Sequence, residues 1–197
     1  MKRKRLDIRN LAGIRDVFWI DVTDAGRIVF FVVLALLVAE RIASTFRRRT
    51  ESKKTVKSFH RHFFYLLLAS YLTIITVGSI QFFRRSEISI LVSSVGALIL
   101  ITGVFCRREA IRALNGDWSV FIEIKENQRL VREGIYRYLK HPYYTAVVLE
   151  LIGFSLLCNA YGALLLTFAV QVPLLLIRIH FEDRILNVYG RRLRFLP

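Results

Sequence analysis

Long apolar runs separated by strongly basic intervals organise this chain. Ile28 to Ala43, Phe63 to Phe83 and Ile88 to Cys106 are each close to the roughly 20 helical residues that cross a bilayer core about 30 Å thick. A polar interval from Arg107 to Pro142 follows, and then two further apolar runs, Tyr143 to Cys158 and Tyr161 to Ile179, separated by "NAYG". Turn formers Asn159 and Gly162 in so short a connection predict a tight helical hairpin that crosses the membrane twice. The pattern as a whole predicts an all-α polytopic membrane protein with about five transmembrane helices.

Within the polar interval, Val120, Ile122 and Ile124 alternate with polar neighbours before the pair Leu130 and Val131, which predicts a short extended or looped segment and not a further span. The Glu133-Gly134 step reads as a turn. Near the N-terminus, "GIRDVFWI" (Gly13 to Ile20) fits a segment lying at the interface. A re-entrant first run is the alternative there.

Composition agrees with this pattern. At 197 residues, 54% hydrophobic and a mean hydropathy of +0.43, the chain is too apolar for an ordinary soluble domain. The net charge of +15 does not signal nucleic acid, because the cations fall between apolar runs, where they suit anionic lipid head groups and topology-setting loops. Of the 30 Lys/Arg, 21 fall in the three intervals Arg41 to Arg61, Arg107 to Lys140 and Arg178 onward. If every run spans, those intervals share one side, and the positive-inside rule makes it the cytoplasm. The basic N-terminus "MKRKRLDIRN" lacks a closely following apolar run and cleavage site, which argues against a cleaved signal peptide. Cys106 and Cys158 each end an apolar run without metal-ligand spacing and read as small buried residues.

Two stretches carry candidate chemistry. In "GIYRYLKHPYY", Pro142 pushes His141 away from helical geometry and suits the first turn of the next helix. The free N–H groups of that turn favour a carboxylate or another anionic group. An interfacial belt of tyrosines with snorkelling Arg137 and Lys140 explains each residue type separately, but not His141-Pro142 together with the polar segment before them. In "RIHFED", Arg178 and Glu182 share a helix face at the end of an apolar run. An arginine there is costly unless it is paired or faces a cavity, which makes it a functional candidate beyond a simple intrahelical ion pair. The hairpin brings both stretches to one membrane face. Glu150, inside the hairpin's first helix, reads as pairing with a neighbouring helix or facing the substrate path, the former being simpler. Gln171 and Pro173 read as a packing polar group and a kink.

With those stretches in order, "LVREGIYRYLKHPYY", a hairpin, "RIHFED" and "YG", the chain resembles the isoprenylcysteine carboxyl methyltransferase family, integral membrane enzymes related to phospholipid N-methyltransferases. That family's pattern runs L-V-x-x-G-x-Y-x-x-x-x-H-P-x-Y, then a hairpin, then R-x-x-x-E-E and an F-G pair. The match covers Trp118 to Gly190 and divides the chain into an N-terminal membrane region, 1–117, and a methyltransferase-like region, 118–197. Here Asp183 replaces the second glutamate, Ala146 stands where a glycine is common, and "VREG" replaces V-T-x-G.

The resemblance implies S-adenosylmethionine bound in a cytoplasm-facing pocket, and no G-x-G-x-x-G between a strand and a helix suggests a Rossmann domain instead. It assigns the cofactor to Gln128, Arg129, Leu130, Val131, Tyr136, His141, Pro142, Tyr143, Tyr144 and Glu182, and the methyl acceptor to Arg178. On these expectations Glu182 pairs with the cofactor's α-amino group, the helix start or the His141 ring holds its carboxylate, Leu130 and Val131 cover its adenine, and Tyr136 or Tyr144 faces the sulfonium. The implied acceptor is lipid-like or prenylated. A carboxylate acceptor is already ionised and needs orienting by Arg178 but no general base, which favours O-methylation over N-methylation of an amine. An NADPH-dependent membrane reductase of the sterol type is a further alternative, with Arg129, Arg132, Arg137 and Lys140 near its 2′-phosphate, but the His-Pro and Arg/Glu order fits it less well.

Overall fold

A computed structural model of the chain describes residues 19–21, 24–46, 55–59, 61–114, 122–125 and 133–193. Helices form at every predicted apolar run: α1 (Asp24–Phe46), α2 (Arg61–Phe83), α3 (Ile90–Leu114), α4 (Pro142–Leu157), α5 (Tyr161–Leu166) and α6 (Val172–Leu193). A helix satisfies all its interior backbone groups internally, as a spanning segment must. Among the described residues three helices are long and apolar enough to cross a membrane, His62–Phe83, Ile90–Leu114 and Tyr161–Ile185, and Pro142–Leu157 is a shorter apolar helix. Leu36, Leu98, Ile101 and Leu165 are between 64% and 68% exposed, an apolar exterior expected of a lipid-facing protein.

The all-α expectation holds for the bulk of the molecule, with two small antiparallel ribbons at the loops. β1 (Trp19–Asp21) pairs with β3 (Glu87–Ser89), Trp19 opposite Ser89. β2 (Thr55–Phe59) pairs with β4 (Ile122–Lys125), Phe59 opposite Ile122, so the predicted extended segment has a partner in the α1–α2 connection. Residues 13–18 of the predicted interfacial segment lie outside the described residues.

Helix α3 differs most from expectation, continuing past Cys106 to Leu114, well into the interval read as polar. Arg107 is buried and ion-paired there, and Arg112 bonds Glu109 one turn back at 2.5 Å, so these charges support the helix. Its contact with α4 is very close. A Cβ on Gly96 would lie 2.2 Å from the Leu157 nitrogen, and one on Gly153 would lie 2.4 Å from the Leu100 nitrogen. Small residues thus let the two backbones touch, the usual means of helix association in lipid.

The hairpin turn is fixed by Asn159, which adopts a left-handed φ of 52° that asparagine tolerates. Its Oδ1 accepts from the Ser89 N–H at 3.1 Å, and its Nδ2 donates to Ser93 Oγ at 2.7 Å. The return arm is not one regular helix. Pro173 has no N–H to give, and Thr167–Gln171 widens into a π-turn in which the Val172 N–H reaches the Thr167 carbonyl. The expected kink is therefore a π-bulge that resets which residues of α6 face α4.

Candidate active site

Helix α4 begins where Pro142 dictates. His141, just before it, takes a non-helical φ of −130° and ψ of 63°, and its carbonyl accepts from the Thr145 N–H at 3.2 Å. No side chain caps this start. The first-turn amides therefore keep their partial positive charge. Just upstream, Gly134 turns the chain with a left-handed φ of 59° into a short 3-10 turn, Gly134–Arg137, which carries Tyr136.

From α6, Arg178 and Glu182 face this corner, and Tyr144 joins them. Its hydroxyl donates a short hydrogen bond to Glu182 Oε2 and accepts one from Arg178 Nε at 3.0 Å. The Arg178 guanidinium carbon also lies 5.4 Å from the Tyr144 ring centre, within cation–π range. Both Tyr144 and Arg178 are buried. Tyr136 is close enough to feel the same carboxylate: burial first, and then Glu182, push its phenol above the usual tyrosine range.

The His141 ring lies 5.8 Å from that of Tyr144. Its Nε2 is 3.2 Å from Asp183 Oδ1, near enough for an ion pair with a protonated ring, yet this buried nitrogen makes no hydrogen bond of acceptable geometry. Lys140 Nζ binds the other oxygen of Asp183 at 2.6 Å. Asp183, the departure from the family's second glutamate, thus ties α6 to the His141 corner, and Lys140 serves this contact. Tyr143 packs edge-on to Tyr144, ring centres 5.7 Å apart, and lines the same cleft as Tyr144 and Arg178. Gln128, Arg129, Leu130 and Val131 lie outside the described residues.

Beneath this corner lies a cleft of about 60 Å³ between α2, α4 and α6, lined by Leu67, Tyr71, Tyr144, Gln171, Leu175 and Arg178 among others. Arg41, which lines it, belongs to an ionic cluster that the pattern of charges along the chain does not reveal as a unit. Glu150 takes Arg41 at 2.5 Å on one oxygen and Arg107 at 2.5 Å on the other. Arg107 also bonds Glu40, which Arg108 reaches at 2.7 Å. Arg41 donates to the Tyr71 hydroxyl at 3.2 Å and sits 4.1 Å from the centre of its ring. The simpler reading of Glu150, pairing with neighbouring helices, is the one observed. The charged residues inside or ending apolar runs are visible signals, but their mutual pairing depends on helix rotation.

Residues 95–188 match the model of the isoprenylcysteine carboxyl methyltransferase family, a span that includes Tyr136, His141, Tyr144, Arg178 and Glu182. Protein-S-isoprenylcysteine O-methyltransferase B of Arabidopsis thaliana is 30% identical over 148 residues, 72% of this chain and 73% of that protein. The A protein of the same plant is 32% identical over 102 residues, covering 50% and 51% respectively. An uncharacterized protein of Bacillus subtilis (strain 168), YpbQ, is 26% identical over 167 residues, 82% of this chain and 99% of that protein. The alignment with the plant B protein reaches well beyond the region of the short motifs, and the apolar helices of this chain suit a membrane. The chain is a membrane methyltransferase and belongs to the isoprenylcysteine carboxyl methyltransferase family.

Proposed function

We propose that this protein transfers a methyl group from S-adenosylmethionine to the carboxylate of a lipid-like or prenylated acceptor, at the cytoplasmic face of the membrane. The observation that carries this reading is the Tyr144 bridge, which couples Glu182 on the cofactor side to Arg178 on the acceptor side. The two plant relatives named as isoprenylcysteine O-methyltransferases support the acceptor class, and the clustering of cations supports the side.

The donor set fits the cofactor. Glu182 supplies a carboxylate for its ammonium group. The buried, unbonded His141 Nε2 and the uncapped start of α4 supply donors for its carboxylate. The ring of Tyr136 offers a face to the sulfonium. Gln128, Arg129, Leu130, Val131, Pro142 and Tyr143 complete the assignment to this pocket. When bound, S-adenosylmethionine supplies an already activated methyl carbon.

The remaining work falls to residues that place the acceptor in line with that carbon and exclude water. Arg178 suits this role, because its Nε is held by Tyr144, which fixes the guanidinium plane at the cleft. In so apolar a site a cation–carboxylate contact is much stronger than in water. An ionised carboxylate needs no proton removed, so no general base enters the reaction.

Purified protein in detergent, titrated calorimetrically with S-adenosylmethionine and separately with NADPH, is expected to bind the first and not the second. Methyl label transferred to a farnesylated cysteine should be released by mild base, as an ester is. Base-stable label would move the reading to N-methylation, and binding of NADPH alone would replace it with a reductase.

A further inference from the structure

Two carboxylates stand next to each other on α6, and the chemistry proposed above uses only one of them. Glu182 turns toward Tyr144, while Asp183, the next residue, turns toward the start of α4. Lys140 Nζ holds Asp183 Oδ2 at 2.6 Å, and His141 Nε2 lies 3.2 Å from Oδ1. The Asp183 carboxylate thus spans the two residues immediately before Pro142, and a negative charge already sits at the corner assigned to the cofactor's carboxylate.

The two contacts are not alike. Lys140 donates a hydrogen bond to Asp183, whereas the buried His141 Nε2 makes none of acceptable geometry. A buried ring nitrogen beside an acceptor yet not bonded to it costs free energy until a better-placed acceptor arrives. The uncapped first turn of α4 draws an anion to the same place. An incoming carboxylate would improve on Asp183 at His141, but it would meet the charge of Asp183 close by, and like charges disfavour each other. Asp183 can yield. Its side chain is 28% exposed and that of Lys140 73% exposed, so the pair has room to move outward together with its ion pair intact.

We propose that Asp183 is a resident competitor for the cofactor's carboxylate: it occupies the Lys140–His141 corner before S-adenosylmethionine binds and is displaced when it does. Asp183 then sets the affinity of donor and product alike, because S-adenosylhomocysteine carries the same carboxylate and must leave after each turnover. The competitor eases that departure. This rests on the methyltransferase reading above and specifies how its cofactor site is tuned. A strut that braced His141 for the ligand would act in the opposite sense, so the sign of the effect decides between the two roles.

The test titrates full-length protein in detergent with S-adenosylmethionine, S-adenosylhomocysteine and decarboxylated S-adenosylmethionine, which keeps the ammonium and sulfonium groups but lacks the carboxylate. Asp183→Asn keeps the size and can still accept from Lys140, so it removes only the charge. It is expected to bind S-adenosylmethionine and S-adenosylhomocysteine roughly fivefold more tightly than the wild type, the effect of one like charge at contact distance in a water-rich setting. Decarboxylated S-adenosylmethionine should bind the variant no better than it binds the wild type. Asp183→Ser, a smaller replacement, should repeat the pattern, with thermal melts confirming that both variants are folded. Unchanged or weaker binding of S-adenosylmethionine by the folded variants, or an equal gain for the decarboxylated ligand, would overturn the proposal while leaving the methyltransferase reading in place. Failure of the wild type to bind S-adenosylmethionine at all would remove that reading itself.

Discussion

The Tyr144 hydroxyl stands between Glu182, to which it donates, and Arg178, from which it accepts at 3.0 Å. One phenol thereby sets the spacing between the residue assigned to the cofactor's ammonium group and the residue assigned to the acceptor. Tyr144→Phe keeps the ring, its packing on Tyr143 and its cation–π contact, and removes only the bridge. A hydrogen bond to a charged group is worth about 1.5–3 kcal/mol, so turnover is expected to fall by roughly 10- to 150-fold with the fold retained. Single-turnover rates beside a thermal melt check this; an unchanged rate would show that the bridge is incidental.

Glu182 and Arg178 should separate cleanly by readout. Glu182→Ala removes the proposed ammonium partner and is expected to abolish calorimetric binding of S-adenosylmethionine. Glu182→Gln keeps the size and should weaken binding by at least about tenfold. Arg178→Ala is expected to leave cofactor affinity within about threefold while eliminating methyl transfer. Cofactor affinity lost in the arginine variant would contradict its placement on the acceptor side.

His141 leads to a narrower expectation. Its buried Nε2 has no well-aligned hydrogen bond, and Asp183 lies 3.2 Å away. Donated to the cofactor's carboxylate, that nitrogen is worth about 1.5–3 kcal/mol, so His141→Ala should weaken S-adenosylmethionine binding by roughly tenfold or more. Adenosine alone, which lacks the carboxylate, should bind the variant as well as it binds the wild type. An equal loss for both ligands would show that His141 acts through the fold and not on the carboxylate.

Sequence pattern reveals the elements better than it reveals the contacts. Pro142 marks the start of α4 because its ring fixes φ and suits a first turn, and Asn159 marks the hairpin turn because its conformation is one few other residues accept. These are local effects and need no knowledge of neighbours. The role of Tyr144 is not legible in that way: residues 136 to 144 include four tyrosines, and only the rotation of α4 against α6 selects the one that meets Glu182. That rotation depends on the π-turn, which Pro173 announces only as a kink. The joining of Arg41, Arg107 and Glu150 is hidden for the same reason, since three helices contribute to it. The extent of α3 is underestimated because Arg107 reads as the end of a span until its buried partners are known.

The ionic cluster has a measurable consequence for stability. Glu150 is 4% exposed and neutralises two arginines at once, so Glu150→Ala would leave Arg41 and Arg107 with less countercharge in an apolar setting. Removing one partner of a buried pair costs about 3–5 kcal/mol. The thermal midpoint in detergent is expected to drop by roughly 10 °C. Glu150→Gln keeps hydrogen-bond acceptance by one oxygen and should lose less. Because Arg41 lines the cleft, both variants should also slow methylation; a full-rate, fully stable Glu150→Ala protein would deny the cluster either role.

The close approach of α3 and α4 gives the last expectation. Gly153 has the Leu100 nitrogen 2.4 Å from where its Cβ would stand, and Gly96 has the Leu157 nitrogen at 2.2 Å, so neither position accepts even a methyl group unless the backbones separate. Overpacking of this kind typically costs about 1–3 kcal/mol, and here the obstacle is backbone and not a side chain that can swing away. Separation would carry Glu150 away from Arg107, since the two lie on the helices being forced apart and are joined at 2.5 Å. Gly153→Ala should therefore lose more stability than a methyl group alone explains, and combining it with Glu150→Ala should cost less than the two losses added together. Thermal midpoints of the two single variants and the double variant measure that coupling. Simple additivity would show that the glycine contact and the ionic cluster are independent.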